Sequence, residues 1–422
     1  MFQNVAAMRK LSREGRANMR ARTMKHESKS PAGKFMLVLA SVVGLVAVAI
    51  PNAQAHILSV VHNFSGGHDG GNPVDGFTMS PTGVLYGTAT SGGDSGYGVV
   101  FRITAKGEET VLHSFAGGSD GATPNGGMVQ NTNGVLFGTT SAGGASGQGT
   151  VFRLEGTKEA VLYSFAGGMD GAAPQAGLAI DAAGNLYGTT SAGGAAGNGT
   201  VFELVAPKKK NGSWKEIVLY GFATGTDGAT PVSGVRLDDA GNLYGTTSLG
   251  GTSGYGTVFL LTHGSAWTES ILHSFQNADD GAYPYAGLIS DAAGNLYGAA
   301  TQGGTAGGGT AFELTQTSGN WNFSVLYSVP GWGISGSFRN LVFDESGNIF
   351  GTTHCDGDDS AGTVYELSPS GGGWKYKLLY TFTGGSDGQF TISNLVLKNG
   401  KLYGTTIDGG VNGAGVIYKL TP

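Results

Sequence analysis

The chain has 422 residues, 78 of them glycine, with 13% charged residues and a formal net charge of -6. Glycine at that level without a G-X-Y period excludes collagen, and 40% hydrophobic residues exclude a simple disordered chain. The single cysteine, Cys355, excludes an intrachain disulfide, so stability must come from packing.

The first predicted element is a leader. Nine Lys/Arg between Arg9 and Lys34 precede the apolar run Phe35–Ile50, and Ala53-Gln54-Ala55 forms a small-x-small cleavage signature. That order predicts a signal peptide over residues 1–55, cleaved before His56, with Met1 or Met24 as the start. The apolar run has 16 residues, short of the roughly 20 that span a bilayer. The expectation is export to the periplasm or exterior, with no membrane span in the mature chain. Nine of the 24 basic and two of the 30 acidic residues leave with the leader, which takes the net charge to -13. So acidic a surface repels phosphate backbones and argues against a nucleic-acid partner.

After the leader one phrase recurs. The aromatic slot of "LYGTT" falls at Tyr86, Phe137, Tyr187, Tyr244, Tyr297, Phe350 and Tyr403, in steps of 51, 50, 57, 53, 53 and 53 residues. Each unit holds four extended runs, here called A to D. In the third unit they are "AGLAI" (176–180), "NLYGTT" (185–190), "GTVFEL" (199–204) and "EIVLYGF" (216–222). All are rich in Val, Leu, Tyr, Phe and Thr and are bounded by Gly, Asn and Asp, which is strand composition with turn punctuation. Four antiparallel strands in each of seven units predict an all-β, seven-bladed propeller over residues 56–422. A β-solenoid suits rungs of this length poorly. The array begins inside a D run, "LSVVHNF" (58–64), and ends on a C run, "GVIYKL" (415–420). The N-terminal strand is therefore expected to complete the last blade and close the ring.

These phrases, "GNLYGTT-SAGG-G-GTVFEL" and "VLYSFAGG-DGA-P", resemble the GloVer repeat, named from Gloeobacter and Verrucomicrobia, of the "choice-of-anchor tandem repeat" proteins. The resemblance covers about residues 57–422. It implies an exported bacterial repeat protein and carries no established activity. The chain departs from the family in ending at Thr421-Pro422 without an anchoring tail, which puts surface attachment in question.

Register separates architecture from candidate chemistry. His62, His113 and His273 share the D-run slot of Tyr163, Tyr220, Tyr327 and Tyr380 and read as aromatic-sized packing residues. Trp214, Trp267, Trp321 and Trp374 share another slot and read as packing rather than as a sugar-stacking ladder. Asp69, Asp120, Asp170, Asp227, Asp280 and Asp387 of "GGxDGAxP" each precede Gly, which suits turn chemistry better than a calcium ring. No helix N-terminus or Lys-Ser/Thr follows the glycine-rich loops, so they are no phosphate cradle, and no cofactor or metal is expected.

One unit breaks the pattern twice on the face that carries the D-to-A and B-to-C loops. "VPGWGISGSF" (329–338) replaces "GGxDGAxP", and "HCDGDDSAG" (354–362) replaces "SAGGAAGNG". Trp332, His354, Asp356, Asp358 and Asp359 thereby become the candidate ligand-binding residues, with drift of a dispensable blade as the alternative. Cys355 has only its sequence neighbour His354 as a base and is a poor nucleophile candidate. The A runs hold no His, Asp or Glu and only Arg236 and Arg339, which argues against a central acid–base site. The expectation is a non-catalytic exported propeller binding a glycan, peptide or protein partner through its loop face. The rivals are a propeller-type lyase acting on a polysaccharide or macrocycle, and a purely structural envelope protein.

Overall fold

The first strand of the repeat array pairs with the last. In the computed structural model, which describes residues 56–104, 106–209, 212–223, 225–330, 339–392 and 394–422, Ile57–Asn63 lies antiparallel to Val416–Thr421. Ile57 stands opposite Thr421 and Asn63 opposite Val416, so the ring closes as the phase of the repeats predicts. The leader expected over residues 1–55 lies outside the described residues. Among those residues there is no helix, and none long and apolar enough to cross a membrane.

Seven four-stranded antiparallel sheets follow one another, each ordered A-B-C-D from the inside outwards. In the third blade the strands are Ala179–Ile180, Leu186–Thr190, Thr200–Val205 and Lys215–Gly221. The innermost ladder is shorter than the five-residue run the sequence suggests, two residues in this blade. The residues before it turn instead to the neighbouring blades. The hydroxyl of Thr139, in the second blade, donates to the Ala176 carbonyl at 2.8 Å, and Thr189 donates to the Ser233 carbonyl of the fourth at 2.8 Å. Inter-blade hydrogen bonds thus take the place of ladder bonds, and the backbone stays satisfied.

The glycine of "LYGTT" is there for space. Gly188 is the cross-strand partner of Phe202 in "GTVFEL", and a Cβ at 188 would sit 2.6 Å from that ring. The ring lies over the bare backbone and is fully buried. The D strand then carries a bulge, between Val218 and Tyr220 in the third blade, that recurs in the other blades and adds twist.

Blades are joined face to face by apolar cores. The last residue of each D run, such as Phe115, Phe165, Phe222 or Phe275, is fully buried. It meets the C-strand aromatic of the next blade edge-on: Phe115 on Phe152 at 5.2 Å, Phe222 on Phe259 at 5.3 Å, Phe382 on Tyr418 at 5.1 Å. The tryptophans pack as their register predicts. Trp214 stands against Phe137, Trp321 against Tyr244 and Trp374 against Tyr297, each reaching the "LYGTT" aromatic of the preceding blade.

Candidate functional site

The D-to-A and B-to-C loops share one face and interlock around the ring. Within a blade they pair backbone to backbone, as between Ala122 and Ala142 or Ala172 and Ala192. Between blades, the residue before the proline of "GAxP" donates its N–H to the B-to-C loop of the preceding blade. Thr123 reaches the Tyr97 carbonyl at 2.9 Å, Ala173 that of Gln148 at 2.9 Å, Thr230 that of Asn198 at 2.8 Å and Tyr283 that of Tyr255 at 2.8 Å. Asn72 and Phe390 do the same to Ala414 and Ala361. All six residues have positive φ, between 52° and 62°, a conformation that threonine, tyrosine and phenylalanine adopt only under constraint. The bond holds it, helped by a following proline in all but Phe390, which precedes Thr391: a Cβ on Gly149 would meet Pro174 Cδ at 2.7 Å, which shows how closely that proline seats on its neighbour's loop.

The aspartates of "GGxDGAxP" are engaged locally. Asp170 accepts from the Ala166 N–H at 2.7 Å and from the Tyr163 hydroxyl at 3.0 Å. Asp227 accepts from Ala223 and Tyr220, and Asp387 from Thr383 and Tyr380. Where the slot holds histidine the ring nitrogen takes the hydroxyl's place, at 3.3 Å from His62 to Asp69 and 3.0 Å from His273 to Asp280. Histidine and tyrosine interchange here because both carry a polar atom at the far tip of a flat ring. This corrects the sequence-based view of the slot as packing alone. Burial lowers the pKa of His62, His113 and His273 and outweighs the aspartate, so the rings are neutral near pH 7.

Adjacent A runs approach closely. A Cβ on Gly177 would stand 2.9 Å from the Gly127 carbonyl, and one on Gly234 would stand 2.8 Å from the Gly177 carbonyl. Asp75, one residue before the first A run as read from the sequence, escaped that reading. Its carboxylate accepts from the Gly76 N–H at 2.7 Å and the Asn394 amide at 2.6 Å, and also from the Gly127 N–H. It ties the first blade to the second and seventh.

The sixth blade departs from all of this. Val329 stands where other D runs end in phenylalanine, and Tyr327 stacks on Tyr376 at 4.5 Å with an interplanar angle of 8°. The loop 354–362 still makes the inter-blade bond from Ala361 to Phe390, and Gly362 donates to the Asp356 carbonyl at 3.0 Å. His354 lies against the Phe390 ring at 4.8 Å. His354, Cys355 and Asp356 are half-buried, while Asp358 and Asp359 are exposed. The Asp356 charge adds to burial in raising the phenols of Tyr327 and Tyr376. A B-to-C loop acid thus acts where the other blades use a D-to-A loop acid. Burial pushes the Cys355 thiol up to about 11, the reverse of an activated nucleophile. Trp332, with the rest of 331–338, lies outside the described residues. Among those described, no three His, Cys, Asp or Glu side chains gather closely enough to hold a metal ion.

A family model of the Gloeobacter/Verrucomicrobia repeat matches residues 48–202 and 155–340. No curated protein is significantly similar. Among solved structures, the extracellular domain of a provisionally named one-component system from B. thetaiotaomicron superposes with a TM-score of 0.52. It is 10% identical and covers 83% of this chain and 40% of its own. A provisionally named 6-phosphogluconolactonase from Bacteroides uniformis gives 0.50 at 16% identity, over 76% of this chain and 88% of its own. At such identities the likeness is one of fold.

Proposed function

We propose, for a chain that belongs to the Gloeobacter/Verrucomicrobia repeat family, the role of an exported, non-catalytic propeller that binds a glycan, peptide or protein partner. The sixth-blade sector of the loop face, with Trp332, His354, Asp356, Asp358 and Asp359, is where it binds. The observation that carries this reading is the loop 354–362. It keeps the bond that locks it to the next blade while exchanging small residues for a histidine on an aromatic ring and three carboxylates. Polar and charged groups replacing glycine and alanine on an otherwise uniform rigid face are the usual mark of recognition. A lyase would need a base and a charge-stabilising group near the axis, where the A runs carry no His, Asp or Glu and Asp75 beside the first of them is already engaged three times.

The test is a glycan and peptide array probed with the exported protein, followed by exchange of "HCDGDDSAG" for the repeat's own "SAGGAAGNG". The exchange should abolish binding and leave the circular dichroism spectrum unchanged, since other blades already fold with that loop. Trp332→Ala should weaken binding by about 10- to 100-fold, as for a buried aromatic anchor. A ligand whose affinity survives both changes would place recognition elsewhere on the ring.

A further inference from the structure

Around the rim, every junction between adjacent D strands follows one rule, and four of the seven place a second acid there. Four residues before the His/Tyr slot, Glu109, Glu159, Glu216 and Glu269 reach back towards the loop aspartate of the preceding blade, Asp69, Asp120, Asp170 and Asp227 respectively. Each glutamate has one oxygen closed off from solvent that accepts no hydrogen bond. At the other three junctions the same position is apolar or aromatic. Phe323 stacks on His273 at 3.8 Å, Tyr376 stacks on Tyr327, and Leu58 packs in one cluster with Tyr380. The aspartates accept backbone N–H donors, and all but Asp120 accept a ring-tip donor as well, so the glutamate is the member of each pair that can give up its charge.

We propose that the junctions flanking blades one to four form a proton-operated latch: they close with Glu109, Glu159, Glu216 and Glu269 neutral, and they loosen when these four lose their protons. A charged carboxylate there has a desolvated oxygen without a donor and a fixed like charge beside it. A neutral carboxyl relieves both. Burial first, and the neighbouring aspartate second, push all four from 4.5 to about 7. The groups facing them are few. Glu109 sees Asp69 and, offsetting it, His68, with His62 on the adjacent strand. Glu159 sees Asp120, beside His113. Glu216 sees Asp170 and Tyr163, and Glu269 sees Asp227 and Tyr220. Among the described residues, no lysine or arginine acts on any of the four to hold the charged form.

The direction follows from linkage. An acid whose folded pKa is raised contributes fully below its unfolded value, and the contribution is lost as pH climbs through the folded one, here between 4.5 and about 7. The three neutral histidines work the other way, contributing above 6.5 and losing the contribution as pH falls. The rim is therefore firmest in mildly acid solution. Above neutrality it loosens on one side only, since Phe323, Leu58 and Tyr376 leave the remaining junctions without an acid pair.

The experiment is hydrogen exchange of the exported protein at pH 6 and pH 8.5, with protection factors corrected for intrinsic rates. The D strands of blades one to four should lose roughly 10-fold or more in protection at the higher pH while those of blades five and six hold theirs. Gln at all four positions mimics the neutral acid and should abolish that loss. Glu159→Gln alone should abolish it only beside the second blade, and serves if the fourfold variant folds poorly. Equal loss all round the ring, or the same loss in the Gln variants, would overturn the latch.

Discussion

Gly188 and Tyr163 show what a single side chain decides in this repeat. A methyl group at Gly188 would meet the buried Phe202 ring at 2.6 Å, so Gly188→Ala should cost about 1–3 kcal/mol in urea unfolding. The glycine was legible in the sequence as architecture, but its reason was not, because the ring it admits belongs to the neighbouring strand. Tyr163→Phe deletes the hydroxyl bonded to Asp170 and should cost about 1 kcal/mol. Tyr163→His should cost less, since His62 and His273 make the same contact in other blades. A substitution pattern of His and Tyr in one slot reveals size at once. It reveals a shared partner only when the aspartate seven residues on is known to fold back against the ring. The candidate residues of the sixth blade were legible for a different reason: a repeat makes its own exceptions visible. The action of Asp356 on Tyr327 and Tyr376 was not, since that stacked pair spans two blades.

Strands behave as the repeat predicts, except at the inner edge. B, C and D runs pair as read, while the A runs, except Arg339–Phe343 of the sixth blade, shorten because threonine hydroxyls and glycine-to-glycine approaches from adjacent blades claim their first residues. Such contacts lie between units about 50 residues apart, beyond any local pattern. The D strand ends on the residue that matters most for cohesion. Phe222 is fully buried between Tyr220 and Phe259, and Phe222→Ala should cost about 3–5 kcal/mol, measured by thermal or urea unfolding. Deleting Ile57–Asn63 strips the partner from Val416–Thr421, which then becomes the unpaired outer edge of a three-stranded last blade. The truncated protein should unfold at lower temperature and associate, which light scattering during the melt would reveal.

At the scale of the whole molecule, the sectors hold one another by three recurring devices: an apolar core, a loop-to-loop bond seen at six junctions among the described residues, and a rim contact. Export predicts a mature N-terminus at His56, and mass spectrometry of the secreted product should find it there. The strand that follows has a peculiar history in time. Ribosomes deliver the chain from its N-terminus, so Ile57–Asn63 is made first among the blades, and the strand it must pair with, Val416–Thr421, is made last. For the whole of synthesis this strand has no legitimate partner, while each newly completed blade offers it a wrong one. Joining the two ends through a short linker and opening the chain at a D-to-A connection, so that the four strands of every blade are contiguous in sequence, would abolish that wait. Such a permuted chain should refold faster and with less aggregation than the natural order, although every contact in the finished ring is the same.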